Sequence, residues 1–226
     1  MTGSDGQELP SNSVGNGEPA EQANRFSVRP RDQLKIQRLS GDGLMARLED
    51  LARLRIEVFR AWPYLYEGTL EHERIYLPRY AKAKTGTLIV ALDGSKVVGA
   101  STALGLDEEE EFVQAPFIKA GLDMKRIFYF GESVLLPQYR GQGVGVRFFE
   151  EREAAARAHG YAHTCFCGVV RPDDHPARPK DYVPLDEFWT HRGYARRPDL
   201  VSTFDWKDVG DAAESEKPMV YWMKTL

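Results

Sequence analysis

The stretch Pro137–Tyr161, PQYRGQGVGVRFFEEREAAARAHGY, joins two patterns. It opens as a glycine-rich turn in which Arg140, Gly141, Gln142, Gly143, Val144, Gly145 and Val146 follow one another. It continues at helical spacing, predicting a helix from about Val144 to His159 that Gly160 stops. A long apolar strand, RIFYFGESVLL, precedes it. Strand, glycine turn and helix together make a cradle for phosphate. The first-turn N–H groups have no partner within the helix, and the helix dipole adds partial positive charge there. Glycine lets the backbone approach a ligand and adopt positive φ. Arg140 adds a charge-assisted contact to phosphate. The motif is not G-x-x-x-x-G-K-S/T, so nothing points to a nucleoside triphosphatase. Nor is it a G-x-G-x-x-G turn after a first strand, which argues against a dinucleotide-binding unit.

Upstream, TLIVAL and KVVGASTAL are β-branched runs parted by Asp93-Gly94, a hairpin signal. LEHERIYLPRYAKA reads as a helix interrupted at Pro78. DGLMARLEDLARLRIEVFRAWPYLYEG predicts a helix with Leu44, Leu48, Leu51, Leu54, Ile56 and Val58 as its apolar stripe, ended or kinked by Pro63. QLKIQRL alternates as a strand. The acidic run Asp107–Glu111 precedes another helix, FVQAPFIKAGLD. Acidic residues favour a helix start through the dipole, and they also attract a cationic substrate. Residues 1–30 are polar and poor in large apolar residues, so they are expected to form a disordered tail, with residues 31–226 as one domain.

Downstream, AHTCFCGVV is a strand, RPDDHPARPKDY a proline-rich loop and PLDEFWTHRGY a short helix with Pro184 near its start and Gly193 past its end. VSTFDW and PMVYWMKTL close the chain as strands and are compatible with a homodimer. Cys165 and Cys167 stand two apart on their strand and point the same way, poor geometry for a disulfide. They read as small buried apolar residues. Asp173, Asp174 and His175 are metal-ligand types, but the prolines favour a rigid exposed loop, and no metal is expected.

The chain has 226 residues and a formal charge of −4, which argues against nucleic acid as a partner. No apolar run is long enough to span a membrane, and the N-terminus lacks a secretory layout. The expected compartment is the cytoplasm.

The run Gln138-Tyr139-Arg140-Gly141-Gln142-Gly143-Val144-Gly145 carries the Q/R-x-x-G-x-G/A signature, with LLP just before it. On this motif, and on FWTHRGY, the sequence resembles the GNAT superfamily of N-acetyltransferases, from about Gln33 to Leu226. The resemblance implies a mixed α/β (α+β) acyl-CoA N-acyltransferase fold, with a central, mostly antiparallel sheet flanked by helices. It implies acetyl-CoA as co-substrate, its pyrophosphate on the backbone of Arg140 to Val146. Its pantetheine arm would run beside Val134, Leu135 and Leu136, where the family has a strand bulge. The activity implied is acetyl transfer to a primary amine of a small or amino-acid-like molecule. A protein or peptide acceptor is an alternative, and so is an acyl-CoA sensor that transfers nothing.

An alkylammonium is mostly protonated at pH 7, so a base or a desolvating pocket is useful. A freed strand N–H near Leu135 would serve the developing oxyanion. Glu132 is the candidate base. By alternation it shares a face with Phe128, Phe130 and Val134, and apolar neighbours would raise its pKa. Its structural alternative is a pair with Arg171 or Arg178. Many family members carry Tyr where this chain has Phe188-Trp189, and indole is no proton acid. Tyr182 is therefore the candidate acid, with His191 or water as alternatives. The aromatic knot Trp62, Tyr64 and Tyr66 lies where the family shapes its acceptor pocket. It is either core or a wall for an amine through cation–π contact. Asp174, in the proline-rich loop, is the remaining candidate for acceptor contact.

Overall fold

The computed structural model describes residues 34–226. The expected disordered tail lies outside the described residues. The chain runs β1 (Leu34–Leu39), α1 (Gly41–Met45), α2 (Leu48–Phe59), α3 (Leu70–Tyr76), α4 (Pro78–Lys82), β2 (Thr87–Asp93) and β3 (Lys96–Gly105). It continues through α5 (Glu111–Lys119), β4 (Ile127–Leu135), α6 (Val144–Ala158), β5 (His163–Val169), α7 (Asp186–His191), β6 (Ala195–Trp206) and β7 (Ser215–Thr225). The strands form one seven-stranded sheet in the order β1-β2-β3-β4-β5-β7-β6. Only β4 and β5 pair in parallel; every other pair is antiparallel.

Alternation along β4 sets the two layers. Phe128 and Phe130 pack with Phe149, Ala155 and Ala156 of α6. Ile127 and Tyr129 pack on the other face, with Val113 and Phe117 of α5. The hairpin turns at Gly94-Ser95, since Asp93 pairs with Lys96, and Gly94 takes φ +62°.

Three features, two in the first predicted helix and one in β6, depart from the pattern read in the sequence. The first helix breaks at Ala46-Arg47 into α1 and α2. The buried residues of α2 are Leu51, Ala52, Leu54 and Arg55, while Ile56 and Val58 are only half-buried. An arginine thus occupies the inward stripe. Third, β6 begins at Ala195 rather than Val201, because a bulge between Arg197 and Val201 absorbs Pro198, which cannot donate to the ladder.

The feature that positions the site is a parting of strands. β4 and β5 pair only over Ile127–Tyr129 and His163–Cys165. Beyond them β4 stays paired to β3 and β5 to β7, but not to each other. The second half of β4 therefore presents an edge in the middle of the sheet.

Candidate active site

Along that open edge alternate residues turn their backbone groups away from β3. Leu136 N–H donates to Val98 O at 3.0 Å, so Val134 faces β3, and Ser133 and Leu135 face the opening. Leu135 O there receives Arg140 Nε at 3.4 Å. The expected bulge at Val134–Leu136 is absent: Leu135 and Val134 pair in register with Gly99 and Ala100. What frees the edge is the departure of β5.

The glycine turn closes one end of the opening. Gly141 and Gly143 take φ of +73° and +80°, where a β-carbon would strain the backbone although nothing lies within 4 Å of it. Gly143 is the N-cap of α6, and no side chain caps that end. Val144 buries its side chain in the core, so only its backbone is presented. The N–H groups of the first turn are left for an anion.

The bulge lies earlier, at Gly131-Glu132, opposite Thr102. A β-carbon on Gly131 would sit 2.1 Å from Tyr80 Oη, so the position demands glycine. Glu132 N–H donates to Thr102 Oγ1 at 2.8 Å, and Arg152 of α6 reaches Glu132 O at 3.5 Å. The extra residue turns the Glu132 side chain off the face of Phe128 and Phe130. It lines instead the cavity that Tyr129 lines. The expected apolar surroundings are corrected too. Arg55 Nη1 donates to Glu132 Oε1 at 2.5 Å, Tyr76 Oη to the same oxygen at 3.1 Å, and Thr102 Oγ1 to Oε2 at 2.5 Å. Burial alone would raise this carboxyl's pKa, but Arg55, then Arg79 and the Thr102 hydroxyl outweigh it and hold the group below the ordinary carboxylate range. Neither expected partner is used: Arg171 pairs with Asp208, and Arg178 with Asp173.

Arg55 is shared. Its Nε donates to the fully buried Glu73 at 2.7 Å, and Tyr66 Oη donates to the other Glu73 oxygen at 3.0 Å. Around this network lies a cavity of about 130 Å³. Phe59, Tyr64, Tyr66, Tyr76, Tyr129 and Trp206 supply aromatic walls. Glu132 of β4 and Cys167 of β5 also line it, so the cavity reaches both parted strands. Its outer wall is tied by Arg171, which donates to Pro63 O at 2.9 Å, to Tyr64 O at 2.7 Å and to both oxygens of Asp208.

The sequence candidates are thus divided. Glu132, Tyr64 and Tyr66 meet in the cavity. Trp62 does not line it; its ring packs on His175 at 4.9 Å and on Tyr182 at 5.9 Å. Tyr182 is therefore off the cavity wall, and burial, then Asp186, raise its pKa. Asp174 and His191 are exposed and away from the cavity lining. Two residues of the acidic run turn inward, Glu108 accepting from the Lys84 and Thr85 N–H groups and Glu109 pairing with Arg79 at 3.2 Å, while Asp107, Glu110 and Glu111 are exposed. Among the described residues no group of three or more His, Cys, Asp or Glu side chains is placed to hold a metal ion.

The sequence matches the Acetyltransferase (GNAT) family over residues 44–179. This chain belongs to the GNAT family. As a GNAT protein it is an acyltransferase, and its sheet is similar to those of several solved structures. An acetyltransferase from Streptococcus agalactiae matches 86% of this chain and 99% of its own length, at 16% identity and a TM-score of 0.53. The yncA protein of Salmonella typhimurium, determined with its cofactor acetyl-CoA, matches 86% of this chain and 95% of its own, at 12% identity and a TM-score of 0.53. A polyamine N-acetyltransferase from Drosophila melanogaster matches 85% and 100%, at 15% identity and a TM-score of 0.51. At such identities the likeness is one of fold. No curated protein matches the sequence.

Sequence reasoning missed Arg55, Glu73, Tyr76 and Arg152 in this GNAT site. For Arg55 a signal existed: Leu51, Leu54, Arg55 and Val58 occupy i, i+3, i+4 and i+7, so the arginine sits on the apolar stripe. A charge there needs a buried partner.

Proposed function

We propose that the protein transfers the acetyl group of acetyl-CoA to the primary amine of a small molecule. The observation that carries this reading is the parting of β4 from β5 between an uncapped helix N-terminus and an aromatic cavity. The residues present fit acetyl-CoA. Arg140 to Val146 would hold the pyrophosphate through backbone N–H groups and one guanidinium. The β4 edge beside Val134, Leu135 and Leu136 would take the pantetheine arm, with the outward-facing backbone groups of Ser133 and Leu135 hydrogen-bonding its amides. Bound acetyl-CoA supplies an activated thioester.

The chain's own residues then do three things. The Leu135 N–H, turned to the opening, is a donor for negative charge developing on a carbonyl oxygen. The aromatic walls desolvate the amine, which favours its neutral, attacking form. Glu132 stays ionised and draws the ammonium to the cavity. The amine loses one proton to solvent, its nitrogen then bonds the acetyl carbon as the C–S bond breaks, and the nitrogen's second proton goes to the departing CoA thiolate. Tyr182 has no part in this account, because it lies against Trp62. A cavity of about 130 Å³ favours a small acceptor over a peptide.

The test is thiol release from acetyl-CoA across a panel of small primary amines, with acetylated product identified by mass. Amine-dependent release that drops at least about tenfold in Glu132→Gln supports the reading. Release that ignores the amine and the substitution overturns it.

A further inference from the structure

The cavity walls carry more negative than positive charge. Among the described residues that line it, Arg55 is the one Arg or Lys, and Glu132 and Asp205 are the acids. The Arg55 guanidinium is already engaged, by Glu73 from behind at 2.7 Å and by Glu132 at 2.5 Å. Its planar group also lies 5.2 Å from the centre of the Phe59 ring and 4.8 Å from that of Tyr76. A second cation finds aromatic faces and an ionised Glu132 here. An anion finds an arginine that two carboxylates share. An α-carboxylate carried beside the reacting amine would be drawn into low dielectric next to Glu132, with His72 as the one other lining side chain able to donate to it and no unshared Arg or Lys on the walls, and such like-charge juxtaposition is unfavourable. Size adds a bound: a dry cavity of about 150 Å³ takes one benzene ring, and this one is about 130 Å³.

We propose that the acceptor is a primary amine with no carboxylate on its amine-bearing carbon, and with an apolar body about one aromatic ring in size. This rests on the acetyl-transfer reading and narrows it. It removes the amino-acid-like acceptors that the sequence left open. Glu73, which lies behind the wall and is not itself exposed to the cavity, becomes a specificity determinant, because it occupies the arginine edge that a substrate carboxylate would otherwise take.

Matched acceptors test it. 2-Phenylethylamine and phenylalanine share a skeleton and differ by the carboxylate; pentylamine and norleucine do the same without the ring. Phenylalaninol keeps the added bulk and removes the charge. Each is assayed with acetyl-CoA at pH 8, and the unfolding midpoint is recorded with and without acetyl-CoA. The expected result is kcat/KM for phenylethylamine at least about a hundredfold above phenylalanine, with phenylalaninol within about tenfold of phenylethylamine. In Glu73→Gln, checked for folding by its retained acetyl-CoA shift, the phenylethylamine preference shrinks by about tenfold or more. Phenylalanine or norleucine turning over as fast as its partner overturns the inference. Acetyl-CoA stabilisation with no acetylation of any of the five overturns the small-amine class but leaves acetyl-CoA binding standing. Absence of that stabilisation overturns both readings.

Discussion

Glu132 sits at the junction of three elements, bonded to Arg55 of α2, Tyr76 of α3 and Thr102 of β3. Removing one partner of a buried pair leaves the other charge uncompensated. Glu132→Gln should therefore lower stability by about 3 kcal/mol at pH 7, read from urea midpoints. Because the folded pKa lies below the ordinary 4.5, the ionised group's contribution is complete above about that pH and is lost as the pH falls through the folded value. The gap between parent and variant should accordingly close below pH 4.5. The thiols give an independent check on burial. Burial, eased only in part by Tyr129, pushes Cys167 up to about 12, and burial lifts Cys165 well above its usual value. Both should be inert to a disulfide reagent at pH 8 in the native protein and react once it is unfolded. Fast labelling of the native protein would contradict the raised thiol pKa values. In the sequence, Glu132 stood out as a carboxylate inside an apolar strand. Its surroundings did not: its arginine lies 77 residues away, and the Gly131-Glu132 bulge defeats alternation.

Two elements define the site, the glycine turn and the loop opposite it. The turn was legible because only glycine suits the +73° and +80° backbone of Gly141 and Gly143. Gly143→Ala should cost about 1 kcal/mol from backbone strain alone, since no atom lies within 4 Å of the added carbon. The parting of β4 from β5 was not legible. Which residues of two parallel strands pair, and where they stop, is a matter of register between segments far apart in sequence. The loop that carries Tyr64 and Tyr66 was half legible: its aromatic content was plain, but its anchoring by Arg171 was not. Arg171 holds Pro63 O and Tyr64 O against Asp208. Arg171→Met should speed amide hydrogen exchange at Leu65, Tyr66 and Val209 while leaving β2 and β3 unchanged. Uniform change across the sheet would mean a global loss of stability instead.

On the scale of the whole molecule, a mostly antiparallel sheet opens between its fourth and fifth strands, with α6 against one face and α2 and α5 against the other. The order of elements could be read from periodicity and turns, because each is a local property. The opening and the buried Arg55 network could not, because both arise only when distant segments meet. The central claim is that this opening and the helix end beside it hold acetyl-CoA. Thermal unfolding with and without acetyl-CoA tests it most directly, in the parent and in Arg140→Glu/Gly145→Asp. Gly145 has no positive φ, and its added carbon would meet only Phe188 at 3.6 Å. An acidic residue in a helix's first turn favours the helix, so this variant should keep its fold while repelling a pyrophosphate. At one hundred times its dissociation constant, acetyl-CoA should stabilise the parent by about 2.7 kcal/mol, and the variant should show none of that gain. No rise in the parent at millimolar acetyl-CoA, or the same rise in both proteins, would contradict the account.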